Sequence, residues 1–124
     1  MKLNPDCIRD ILLTVEETVS FGEVMRYDSD TAYTRLSAYT PDEVMYHIEQ
    51  CELSGLLTKV NLFMAPGCLI HNLSPAGHEF LANIRNDTNW GKTKDVAKEV
   101  GSFSLTTLTQ IAVNVVTALI NKQF

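Results

Sequence analysis

Ile8, Ile11, Leu12, Val15 and Val19 recur at helical spacing, while Arg9, Asp10, Glu16 and Glu17 lie largely off that stripe. The pattern predicts an amphipathic helix from about Pro5 to Val19 with one face in a core. Asn4 can cap it, Pro5 suits the first helical position, and Asp6 favours the positive end of the dipole. A second helix is predicted from Thr40. Thr40, Pro41 and Glu43 spell a capping box, Val44, His47, Ile48 and Cys51 keep helical spacing, and Gly55 sits at a C-cap. Beyond it, Leu56, Val60, Leu62 and Met64 alternate against Leu57, Lys59, Asn61 and Phe63, as on a strand. Pro66-Gly67 fits a type II turn into a second strand, Cys68 to Leu73.

Ser74 and Pro75 then start a third helix to about Asn86, with Phe80, Leu81 and Ile84 inward. Asn86-Asp87-Thr88-Asn89 is a break, Asn89 is a candidate cap for a fourth helix, and Gly101 ends that helix. A fifth is predicted from Ser104 to about Asn121, where Leu105, Leu108, Ala112, Val115 and Leu119 keep a stripe widened by Ile111, Val116 and Ile120. Residues 20–39 read less regularly. Glu23 to Tyr27 fits a short strand and Asp28-Ser29-Asp30 a turn, while Tyr33, Leu36 and Tyr39 suit a short helix or a packed loop. The whole predicts a mainly helical α+β chain, winged-helix-like, with a β-hairpin wing and C-terminal helices. Residues 1–103 would form the winged-helix-like part and 104–124 a C-terminal helix of the same domain. A helix-turn-helix needs a first helix in 20–39, and a β-rich connection fits that stretch at least as well.

Several runs resemble one family: His47, Gly55-Leu56-Leu57, Gly77-His78-Glu79-Phe80-Leu81, Ile84-Arg85-Asn86-Asp87-Thr88, Trp90, and the opening Met1 to Leu13. The chain is similar to the domain-of-unknown-function family twenty-five thirteen, small uncharacterised bacterial and prophage proteins. The resemblance covers almost the whole chain. It implies a winged-helix-like fold and no established activity, ligand or catalytic residue.

At 124 residues with 45% hydrophobic and 20% charged content, the chain is long enough for one ordinary globular domain. No basic stretch leads into an apolar run, so no secretory signal is apparent. Three cysteines without a Cys-x-x-Cys pair read as reduced thiols, which places the protein in the cytoplasm. The net charge of −5 disfavours non-specific nucleic-acid binding, and its distribution is uneven. Residues 1–40 carry 4 basic and 7 acidic side chains, residues 41–83 carry 1 and 5, and residues 84–124 carry 5 and 3. A phosphate-facing patch would therefore use Arg85, Lys92, Lys94 and Lys98, with Lys59 on the wing. Tyr46, His47 and Gln50 are the available base-edge readers on the second helix. Trp90 lies among these basic and amide side chains as a candidate interaction surface, or else anchors the fourth helix to the core.

No charge occurs in the 22 residues from Val100 to Asn121, yet nine Ser, Thr, Asn and Gln side chains there argue against a membrane span. Burial against a second copy explains the stripe better. The expectation is a homodimer using Leu105, Leu108, Ile111, Ala112, Val115, Val116 and Leu119, which would run on micromolar gel filtration at twice the chain mass. His47, Cys51, Cys68, His71 and His78 are possible zinc ligands with poor spacing, so no metal or cofactor is expected. No Cys–His or Glu79–His78 pair marks a catalytic site. The protein is read as non-enzymatic. Nucleic-acid binding is placed ahead of docking to a host or phage protein, because the architecture favours it.

Overall fold

A computed structural model describes residues 1–63 and 66–124. The chain is mainly helical with a small three-stranded antiparallel sheet, the class expected. It divides into two compact units, Met1–His78 and Glu79–Phe124.

The first unit begins with helix α1, Pro5–Thr18. The Asn4 side chain accepts from the Asp6 N–H at 3.0 Å. Cys7, Ile8, Ile11, Leu12 and Val15 are buried, so the face is wider than the stripe read from spacing. Helix α2, Pro41–Leu53, carries the full capping box: Thr40 Oγ1 accepts from Glu43 N and Glu43 Oε1 from Thr40 N. Gly55 follows its end at φ 76°, a left-handed conformation open to glycine. Helices α1 and α2 pack together.

Between them run strand β1, Met25–Asp28, and one 3-10 turn, Thr34–Leu36. The strand expected there is present. Asp28 Oδ1 accepts from the Asp30 and Thr31 N–H groups, which makes the turn. The stretch is held by side chains: Tyr33 Oη donates to Arg26 O at 2.6 Å and Tyr39 Oη to Asp10 Oδ2 at 2.7 Å. Arg35 reaches Glu17 on α1 at 2.6 Å.

Strands β2, Val60–Leu62, and β3, Gly67–Ile70, complete the sheet in the order β1-β3-β2. Met25 pairs with Ile70 and Tyr27 with Cys68, and all four are buried. Two readings of this hairpin are corrected. Leu56 and Leu57 are both buried, and Leu62 is 67% exposed. The strict alternation fails because regular pairing starts only at Val60, with Leu57 meeting Leu73 in an isolated bridge. Met64 lies outside the described residues. Gly67 opens β3 instead of forming the turn centre, and its carbonyl accepts from Phe63 N at 3.0 Å. Its φ of 157° is not that of a type II turn. Glycine is there for space, since a Cβ would meet Tyr27 O and Phe63 Cδ2 at 2.9 Å.

Helix α3, Pro75–Ile84, begins in the first unit, where Ser74 Oγ accepts from Gly77 N at 3.0 Å. Its later residues Phe80, Leu81 and Ile84 are buried. In the second unit, helices α4, Asp87–Val100, and α5, Leu105–Gln123, pack on each other. The cap of α4 is Asn86, not Asn89: Asn86 Oδ1 accepts from Thr88 N at 2.8 Å and Asn89 N at 3.2 Å. Asn89 already lies inside the first turn, where its carbonyl accepts from Thr93 Oγ1 at 2.8 Å. Gly101 closes α4 at φ 83° and Ser104 caps α5. Among the described residues no helix is long and apolar enough to cross a membrane.

Candidate functional site

The residues singled out from sequence fall in two units and divide between core and surface. His47 is 1% exposed. Its Nε2 accepts from the Asn4 N–H at 2.7 Å, so the proton sits on Nδ1, which donates to Glu43 O at 2.6 Å. It ties α2 to the cap of α1 and cannot read a base edge. This corrects its placement among the base-edge readers. Tyr46 and Gln50 remain half-buried on α2, the Tyr46 ring standing edge-on to His47 at 5.0 Å. Lys59 is exposed just before β2.

In the second unit Arg85, Lys92 and Lys98 are exposed and Lys94 is half-buried. Trp90 is 3% exposed, so it serves the core and not a contact surface. The Lys94 ammonium lies 5.5 Å from its ring centroid, within cation–π range. Of the α5 stripe, Leu105, Leu108, Ile111 and Ala112 are buried within the single chain, which removes them from a dimer surface. Val115, Val116 and Leu119 are half-buried. Val115, Leu119 and Lys92 line one α4–α5 groove of about 410 Å³ with Val96 and Lys122.

The three thiols are buried. Burial pushes Cys7 up to about 12, with Glu43 and Asp10 adding to it. Burial and then Glu52 push Cys68 up to about 11, and burial chiefly raises Cys51. Neutral, enclosed thiols are poor nucleophiles. At pH 8 all three should react with Ellman's reagent on the order of a hundredfold slower than a free cysteine, and rapidly after denaturation. One thiol labelling at the free rate would contradict this. Folding holds these acids neutral. Their contribution to stability is therefore intact below the ordinary thiol value of 9.0 and is lost progressively above it, through about 11 for Cys68 and about 12 for Cys7. Among the described residues no group of three or more His, Cys, Asp and Glu could hold a metal. His71 Nε2 is engaged with Asn61 Oδ1 at 2.7 Å.

A different face comes together between α2 and β2. Met45, Tyr46, Glu49, Glu52, Val60 and Leu62 line a groove of about 290 Å³. Glu52 Oε2 accepts from the Val60 N–H at 2.7 Å, fastening the helix to the strand. Asp42 and Leu53 are exposed on the same helix. The first unit as a whole carries 5 basic and 11 acidic side chains, a net −6, and the second 5 and 4, a net +1. Leu62 and Glu52 escaped sequence reading. The alternation groups Leu62 with Leu56 and Val60 without showing that it stays exposed, and nothing local marks an acid that will reach a strand eight residues on.

A family model described as a hypothetical protein, DUF2513, matches residues 2–104. The chain belongs to that family. The match ends at Ser104, the cap of α5, so the groove between α2 and β2 lies wholly inside the DUF2513 region. An uncharacterized protein of Haemophilus influenzae (strain ATCC 51907 / DSM 11121 / KW20 / Rd) is 28% identical over 123 residues. It covers 97% of this chain and 99% of its own length, so the likeness extends into α5. No solved structure matches the DUF2513 chain.

Proposed function

We propose that residues 1–78 form a winged-helix-like, non-enzymatic module of a cytoplasmic bacterial or prophage regulator, and that its α2–β2 face docks another protein. The order helix, strand, turn, helix and two strands supports the winged-helix reading, with the middle helix reduced to the turn Thr34–Leu36. One observation favours protein over nucleic acid. The solvent side of α2, which a winged helix would set against bases, presents Asp42 and Glu49 with Glu52 beside them, in a unit of net charge −6. Phosphates would be repelled there, while an apolar floor of Met45, Tyr46 and Leu62 suits a protein surface.

The exposed Arg85, Lys92 and Lys98 favour a second reading, in which the other unit contacts phosphates. A titration of the full chain against genomic DNA fragments at low and moderate salt decides between them. The expected result is no selective retention at either. Retention that falls steeply with salt and is weakened by Lys92→Ala with Lys98→Ala would establish the DNA reading instead.

A further inference from the structure

Resting on that docking reading, we infer that the partner is a basic, extended segment of another protein that adds as a fourth strand to the open edge of β2. In the order β1-β3-β2, β2 is paired on one side only among the described residues. The direction of its backbone follows from its neighbours. Lys59 O accepts from His71 N and Phe63 N donates to Gly67 O, both at 3.0 Å. Strand parity then sets residues 59, 61 and 63 towards β3 and turns the N–H and C=O of Leu62 to the open side. The outward Val60 N–H is held by Glu52 Oε2 at 2.7 Å.

Exposed edges are usually blunted by Lys, Pro or a bulge. Here the residues whose backbone groups face the edge are the apolar Val60 and Leu62, with Leu62 67% exposed and Lys59 exposed just before them. A strand laid beside them would point every second side chain over the groove flanked by Glu49 and Glu52. Charge complementarity therefore selects Lys or Arg at those positions, alternating with apolar residues. Glu52 gives the edge a latch. A cation from the partner draws its carboxylate away and releases the Val60 N–H into the new ladder.

The test pans a displayed random dodecapeptide library on the full-length protein and measures enriched sequences as synthetic peptides by fluorescence anisotropy. Enriched peptides should alternate basic and apolar residues. Leu62→Pro removes the outward N–H without touching the β2–β3 ladder and should weaken them at least about tenfold. Leu62→Lys, which keeps the backbone intact and repels a basic strand, should do the same, so that misfolding of the proline variant leaves the test decisive. Glu52→Gln retains an acceptor for Val60 and loses the charge, and should weaken binding by about three- to tenfold. Peptides that bind both Leu62 variants like wild type overturn strand addition. If those peptides are lost with Glu49→Lys, docking on this face survives without it. Enrichment of acidic peptides overturns the basic partner, and a library that enriches nothing selective overturns both readings.

Discussion

Gly77→Ala should destabilise the first unit by roughly 3 kcal/mol, at the upper end of what an inserted methyl normally costs. A Cβ there would overlap the carbonyl oxygen of Leu56 and lie 3.0 Å from its carbonyl carbon. That carbonyl has no room to retreat. It accepts from Ser74 N at 3.0 Å, and Leu56 N is held by Cys51 O at 2.9 Å. The Ser74 hydroxyl also donates to Gly55 O. The first turn of α3 is thus fastened backbone to backbone onto the segment leaving α2, and only glycine allows the approach. Thermal melting should show a loss of about 10 °C. Gly91→Ala is the control. A Cβ at Gly91 meets nothing within 4 Å, inside α4, so that change should stabilise by about 0.5–1 kcal/mol. A Gly77→Ala protein melting within a few degrees of wild type would refute the argument.

His47→Ala should cost about 3 kcal/mol, combining a cavity at a fully enclosed site with a stranded backbone donor. The donor is the Asn4 N–H, whose acceptor is His47 Nε2. Asn4 is itself the cap of α1, so the loss spreads from α2 to the start of the other core helix. His47→Gln can restore an acceptor and should recover part of the loss in urea denaturation. Equal midpoints for the two variants would mean that the Asn4 bond contributes nothing. Because the side chain is internal, peptide or DNA affinity measured well below the melting temperature should be unchanged by either substitution. A selective loss of DNA binding would return His47 to the role of a base reader.

The legible parts of this chain were those whose cause is local. Asn4, Thr40 with Glu43, and Ser74 begin helices because each side chain bonds N–H groups two or three residues away, and that distance is visible in sequence. Gly101 ends α4 through an equally local cause, a left-handed backbone at φ 83° that glycine accepts without strain. Where two local solutions compete, spacing alone does not choose between them. Asn86 and Asn89 can each cap a helix, and the fold took the earlier one. The Gly-His-Glu-Phe-Leu run stood out as a motif, but the reason for its glycine, the Leu56 carbonyl, lies twenty-one residues back in the chain.

The helices, the caps of α1, α2, α3 and α5, the presence of a hairpin and the concentration of acid in the first 83 residues are thus legible in the sequence, since each depends on neighbours a few positions apart or on a simple sum. The tertiary structure alone decided which side chains face solvent. It buried His47 and Trp90, consumed half of the α5 stripe, and left Leu62 exposed beside Glu49 and Glu52. Exposure depends on what distant segments cover, and an edge strand exists only once the order of the sheet is set.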